Sequence, residues 1–162
     1  MPRPADIGLL RLTREGRRPP MPAFATAGAA AADLTAFLPG PLVLRPGERM
    51  AVPTGIALQL PPGWCALVMA RSGLSLRSGV ALCNGVGLID SDYRGEILVA
   101  LENRGSREFV VEDGMRVAQL LCLPAPPVRL VEKDALDPTA RGAGGFGSTG
   151  LGTAPEENDP EL

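Results

Sequence analysis

Proline-glycine pairs recur along this chain at short intervals, at Pro39-Gly40, Pro46-Gly47 and Pro62-Gly63. Proline lacks an amide hydrogen and fixes its φ, and glycine accepts backbone angles that other residues avoid, so such pairs punctuate a chain. Between and beyond them lie short apolar runs: Pro41–Leu44, Met50–Val52, Ile56–Leu60, Cys65–Met69, Val80–Leu82, Val86–Ile89, Ile97–Leu101, Phe109–Val111, Val117–Leu123 and Val128–Val131. Turn signals about every eight to twelve residues, separating strand-length runs, predict an all-β sandwich, jelly roll or barrel. One short helix, or only a turn, is expected near Arg71–Ser78. Leu34–Phe37 is too short to assign, and no internal repeat is evident.

The 162 residues suit one domain with a sizeable core, and 45% hydrophobic content excludes a disordered chain. A net charge of −2 gives no global pull toward nucleic acid or a membrane surface. No run of 18 apolar residues occurs to span a bilayer, and Met1–Leu12 lacks the apolar core of a secretory signal. Cys65, Cys83 and Cys122 sit in apolar runs without CxxC spacing, so they are expected to be reduced core residues of a cytoplasmic protein. Histidine is absent. That removes Ser-His and Cys-His nucleophile pairs and most zinc sites, and leaves carboxylates, hydroxyls, arginines and an oxygen-ligated metal such as magnesium.

Polar islands interrupt the apolar runs. The most informative is Gly87-Leu88-Ile89-Asp90-Ser91-Asp92-Tyr93-Arg94-Gly95-Glu96-Ile97, read as strand, turn, strand and hence a β-hairpin. Its corner, Asp90–Gly95, carries the chain's only tyrosine and two acids. A carboxylate at a strand end suits a general base, and the ring a flat wall for a sugar or base. Ala70-Arg71-Ser72-Gly73-Leu74-Ser75 suits either a capped turn or an anion clamp of guanidinium, hydroxyl and backbone N–H. Arg116-Val117-Ala118-Gln119-Leu120-Leu121 buries a Gln in an apolar strand, where its amide must bond to backbone or to ligand. Asp33, isolated among small residues in Ala30–Ala36, either caps a turn or holds a metal-bound water.

From Asp134 the chain turns rich in Gly, Ala, Pro and acids. Residues 1–133 therefore read as the β-rich domain and 134–162 as a C-terminal arm and tail. The stretch Arg141–Gly150 cannot bury enough surface to fold alone. It is either a flexible tail or an arm that orders over a ligand, with glycine backbone for phosphates, Arg141 as a charged fork and Phe146 as a stacking ring.

Taken in order, these five islands resemble the five motifs of the trimeric dUTPases, across roughly residues 23–150. Departures are Ala31 where the first motif usually has Gly, Ala70 where the second usually has Pro, and Ala143 for a common Glu in the arm. Residues 1–22 and 151–162 fall outside the motifs and read as tails.

The resemblance implies a jelly-roll-like subunit and a homotrimer whose three active sites are shared between subunits, acting on dUTP to give dUMP and pyrophosphate. It implies that Asp90 is the general base for water attack on the α-phosphorus and that Tyr93 packs on the deoxyribose. Asn84 and the backbone near Leu88, Ile89 and Leu98 would read uracil. Arg71, Ser72, Gly73 and Gln119 would hold the phosphates. Arg141, Gly147 and Ser148 would close from the arm, with Phe146 stacked on the base. Mg2+ would bridge the phosphates mainly through waters, with Asp33 an outer-sphere ligand at most. The rivals are a dCTP deaminase or bifunctional deaminase/dUTPase of this fold, and a non-catalytic nucleotide-binding trimer. The deaminases place a catalytic glutamate where this chain has Ala100, with Glu96 and Glu102 on the same face.

Overall fold

Two apolar runs, on either side of Pro53-Thr54-Gly55, fuse into one eleven-residue strand. The computed structural model describes residues 5–145. Its elements are β1 (Gly8–Arg11), β2 (Ala23–Phe24), β3 (Ala32–Thr35), β4 (Leu42–Leu44), β5 (Arg49–Gln59), β6 (Trp64–Met69), α1 (Ser72–Ser78), β7 (Val80–Leu82), β8 (Val86–Ile89), β9 (Glu96–Asn103), β10 (Phe109–Val111) and β11 (Arg116–Pro124). The all-β expectation holds, and the short helix after Arg71 is real.

The strands form a four-stranded sheet in the order β1-β5-β9-β7, a five-stranded sheet in the order β2-β3-β11-β6-β8, and a β10-β4 pair. Every pairing is antiparallel. Side chains from both larger sheets and the pair, including Leu34, Leu44, Val52, Ile97, Val99, Val111 and Val117, fill one buried core. β9 shows the alternation that two-sided strands require: Ile97, Val99 and Leu101 point inward, Leu98 is exposed, and Glu96, Ala100 and Glu102 are half-buried. Asn103 ends the inward row fully buried, its amide donating to Leu44 O and Arg107 O at 2.8 Å each.

Three expectations need correction. The segment around Asp90 is not a β-hairpin. β8 pairs with β6, at the edge of the five-stranded sheet, while β9 pairs with β5 on one side and β7 on the other. β8 takes its place beside β6 instead of β9, and Asp90–Gly95 carries the chain from one sheet to the other. Residues 1–22 are not simply a tail, because β1 pairs with Ile56–Gln59 of β5. Val128–Val131 is not a strand; Pro126-Pro127 precede it, offering no amide donors, and Val128 and Leu130 are exposed. The unassigned Leu34 belongs to β3, which lies between β2 and β11.

Among the described residues, those up to Pro127 form one compact unit, and those from Val128 a second. No helix of the described residues is long and apolar enough to cross a membrane. All three cysteines are free and half-buried.

Candidate active site

The sheet register brings three of the polar islands together. Across three neighbouring strands, Asp33 of β3 faces Gln119 of β11, which faces Met69 of β6. Arg71 follows β6 by two residues and is the extended residue that leads into α1. Arg71, Ser72, Gly73, Leu74, Arg116 and Gln119 line a cleft of ≈ 620 Å³ that extends along α1. Gln119 is half-buried rather than buried, so its amide faces this cleft and is not locked inside the strand.

Asp33 is the buried anchor of this end. Its Oδ1 accepts from Arg71 Nε at 3.0 Å and its Oδ2 from Arg116 Nη1 at 3.1 Å. Arg71 Nη1 also donates to Arg116 O at 3.4 Å. The carboxylate side chain is 8% exposed, against 27% for Arg71 and 55% for Arg116. One buried negative charge thus holds two guanidiniums at the mouth of the cleft, where the remaining N–H groups present a fork suited to phosphate. Asp33 lies within a strand and caps no turn. Among the described residues no cluster of three or more His, Cys, Asp or Glu side chains is placed to hold a metal.

Arg116 was not singled out by sequence reasoning. Strict alternation along β11 places residues 116 and 119 on opposite faces. A β-bulge between Arg116 and Ala118 breaks that alternation. Val117 and Ala118 are both buried in consequence.

The second cleft, of ≈ 280 Å³, is lined by Leu88, Ile89, Asp90, Tyr93, Glu96, Ile97 and Leu98. Five of the expected site residues therefore surround one cavity. Asp90 is exposed and directly follows β8. Tyr93 N donates to Asp90 O at 3.2 Å, and Tyr93 Oη donates to Glu96 O at 3.1 Å. A side chain on Gly95 would stand 2.3 Å from Tyr93 Oη, so the ring can lie across the backbone only because residue 95 is glycine. Arg94 Nη1 donates to Ser91 O at 2.7 Å and Tyr93 O at 2.8 Å, tightening the corner. Asn84 is exposed in the turn between β7 and β8.

The arginine cleft lies past the Met69 end of β6, and the Asp90 cleft past the Ile89 end of β8. Met69 pairs with Val86 at one end, and Ala66 with Ile89 at the other. From Val86 to Asp90 the strand rises roughly 13 Å, four steps of about 3.3 Å.

In the second unit, Arg141 belongs to a tight turn. Gly142 N donates to Thr139 O, and Gly144 N to Arg141 O, at 3.1 and 3.0 Å. Arg141 Nε donates to Gly144 O at 2.9 Å. Phe146, Gly147 and Ser148 lie outside the described residues.

A family model for dUTPase matches residues 17–150, most of the chain. This chain belongs to the dUTPase family. A deoxyuridine 5'-triphosphate nucleotidohydrolase of Desulfitobacterium hafniense is 53% identical over 139 residues, covering 85% of this chain and 92% of that protein. Its counterpart in Methylocella silvestris is 51% identical over 152 residues, covering 93% and 94%. The fold matches a Staphylococcus bacteriophage 80alpha dUTPase mutant solved with dUpNHpp, at a TM-score of 0.81 and 22% identity, covering 90% of this chain and 99% of that one. A mutant dUTPase from phage phi11 of S. aureus, described with a structural Mg(II) ion, matches at a TM-score of 0.72 and 19% identity, covering 81% and 98%. The dUTPase fold of this chain thus comes with both clefts formed by residues of the recurrent islands.

Proposed function

We propose that this dUTPase-family chain hydrolyses dUTP to dUMP and pyrophosphate, with Asp90 as the general base. The observation that carries the reading is the cleft at the β8–β9 corner, where a carboxylate, a tyrosine ring and exposed strand backbone surround one cavity. Asp90 takes a proton from a water, the water oxygen attacks the α-phosphorus, and pyrophosphate departs with the bond's electron pair. Base catalysis of this kind contributes about 10²–10⁴-fold. Tyr93 packs on the deoxyribose where a 2′-hydroxyl would stand. Asn84 and the backbone at Leu88, Ile89 and Leu98 read uracil, whose acceptor cytosine replaces with a donor.

Arg71, Ser72, Gly73 and Gln119 hold the phosphates, aided by Arg116. Charge neutralisation and positioning carry the rest of the rate enhancement. Arg141, Phe146, Gly147 and Ser148 supply the arm. Magnesium would come with the substrate as the dUTP chelate, supplying neutralisation of the triphosphate that Arg71, Arg116 and Gln119 hold. The donor set agrees with that role: both Asp33 oxygens accept from arginines, and no three-carboxylate cluster exists among the described residues to hold a resident ion. Three free cysteines suit a reducing, cytoplasmic setting.

The assembly we infer is a homotrimer with shared sites. In one copy Asp90 lies roughly 13 Å by strand rise from Val86, which pairs with the Met69 end of β6 that leads to Arg71, whereas a base must come within about 2.6–3.2 Å of the water oxygen it deprotonates. Arginines from one copy and Asp90 from a neighbour resolve that mismatch. The deaminase alternative gains no support. Ala100 pairs with Ala51, and the flanking Glu96 and Glu102 are both ion-paired to arginines.

Two measurements test this reading. Pyrophosphate and ammonia are followed with dUTP and with dCTP; pyrophosphate from dUTP without ammonia from dCTP is expected, and ammonia release would overturn it. Asp90→Asn and Arg71→Ala proteins, each inactive, are then dissociated, mixed and reassociated. Recovered turnover is expected of shared sites, and none is expected of sites within one subunit.

A further inference from the structure

The bulge in β5 leaves a backbone donor that a side chain must satisfy. The β5–β9 register runs from Arg49↔Glu102 to Pro53↔Leu98, then jumps to Ala57↔Glu96. Within this bulge Gly55 sits at φ 67°, where an added side chain would lie 2.6 Å from Phe37 Cδ1 and 2.7 Å from Pro19 Cγ. Only glycine fits, and its N–H is lifted out of the ladder. Glu96 fills the gap, its Oε1 accepting from Gly55 N at 2.6 Å. Thr54, fully buried, completes the bulge by donating to Ile97 O at 2.7 Å. The other Glu96 oxygen, Oε2, pairs with Arg14.

Arg14 comes from the N-terminal segment outside all five motifs, and it is well fixed. Arg14 and Arg17 exchange backbone hydrogen bonds at 3.0 and 2.8 Å around Glu15 and Gly16, at φ 50° and 73°. These are the positive angles of a two-residue hairpin turn matched to strand twist. Both guanidiniums lie by the Phe37 ring, 5.6 and 5.3 Å from its centroid. Arg17 also pairs with Asp113 and donates to Leu38 O at 3.1 Å. Leu12 N donates to Gly55 O at 2.8 Å, tying the strand before this turn to the bulge itself.

Glu96 is also the residue whose carbonyl receives the Tyr93 hydroxyl, and Tyr93 N in turn bonds Asp90 O. We infer that Arg14 is a positioning residue for the reaction: by fixing Glu96 against the β5 bulge it holds the Asp90–Tyr93 corner in register. The inference rests on the proposed role of Asp90. Without Arg14, Glu96 keeps one anchor and pivots about the Gly55 N–H, and the corner shifts with it. Misplacement by about 1 Å can cost about 10²-fold in rate. One anchor remaining sets the expectation nearer ten-fold.

The experiment compares Arg14→Met and Arg14→Lys with the unmodified full-length protein. It measures kcat and KM for dUTP, affinity for dUpNHpp and the thermal midpoint. Arg14→Met is expected to lower kcat about ten-fold, with KM and dUpNHpp affinity within two-fold and the protein fully folded at the assay temperature. Arg14→Lys, which keeps a charge for Glu96, is expected to recover kcat to within about three-fold of the unmodified protein. A kcat for Arg14→Met within two-fold of the unmodified value overturns the inference. So does a loss matched by an equal loss of folded protein, or a Lys variant no better than Met. Asp90→Asn, assayed alongside, separates the two claims: turnover retained there defeats the base assignment whatever Arg14 does.

Discussion

Asp33→Asn isolates what the buried carboxylate does. In the folded chain it accepts from Arg71 at 3.0 Å and Arg116 at 3.1 Å, with its side chain 8% exposed. Asparagine is nearly isosteric but keeps one acceptor oxygen and turns an NH₂ toward the other guanidinium. Hydrogen bonds to charged groups contribute about 1.5–3 kcal/mol each. The bond to Arg71 belongs in that range, since both partners are mostly buried. The bond to Arg116 is discounted toward about 0.2–1 kcal/mol, because that arginine is half in water. Losing one bond and weakening the other gives about 2 kcal/mol of stability, read as a lower urea midpoint with an unchanged slope. Arg71, no longer fixed, should cost about 10–30-fold in kcat/KM for dUTP. The Mg2+ concentration for half-maximal activity should not move, because the carboxylate serves arginines. Stability within about 0.5 kcal/mol and kcat/KM within about two-fold of the unmodified protein would refute the clamp. A loss of activity fully restored by excess Mg2+ would return Asp33 to a metal-bound water.

Further outcomes follow from other parts of the site. The protein should favour dUTP over UTP strongly, and Tyr93→Ala should narrow that kcat/KM ratio by at least about ten-fold, since it opens the space against the sugar; an unchanged ratio would remove Tyr93 from selectivity. Glu102 is held below its ordinary value of 4.5, chiefly by its hydrogen bond from Arg104 and further by Arg49. The unfolded chain therefore takes up this proton at higher pH than the folded one, so the stabilisation is present above about pH 4.5 and fades as pH falls below it. Glu102→Gln should flatten the fall of the urea midpoint between about pH 6 and pH 3.5, and an equally steep fall would contradict this. Truncation before Arg141 should leave the thermal midpoint within about 2 °C, since residues 141–143 are exposed, while turnover drops at least about ten-fold; full activity would deny the arm a role.

Sequence patterning carried the strands well where periodicity governs and poorly where the backbone departs from it. Val80–Leu82, Val86–Ile89 and Phe109–Val111 match the observed strands residue for residue, because each is a bounded apolar run. Pro53-Thr54-Gly55 reads as a break yet sits inside β5, since a bulge tolerates both the proline and a glycine at positive φ. The Asp90 segment has the local signature of a hairpin. What denies it that pairing is non-local: β8 pairs with Ala66–Met69 of β6 in the other sheet, and nothing in residues 86–101 encodes that preference.

The same distinction governs the site. Asp90, Tyr93, Leu88 and Ile89 belong to a single motif and Leu98 follows it directly, so their meeting around one cleft is local in sequence. Asp33, Arg71 and Gln119 were each visible as polar islands, but their juxtaposition depends on the order β3-β11-β6 in the sheet. Arg116 and Arg14 were not legible. The first reaches Asp33 only through a bulge that breaks alternation, and the second reaches Glu96 across 82 residues. The two bulges share a consequence. Each interrupts a ladder where an arginine meets a carboxylate, Arg116 of the bulged strand on Asp33 at the phosphate end and Arg14 of the N-terminal segment on Glu96 at the base end. A regular ladder would place Arg116 and Gln119 on opposite faces and would leave no unpaired Gly55 N–H for Glu96 to fill. The irregular backbone is thus what lets an otherwise ordinary antiparallel fold aim charged groups at both clefts.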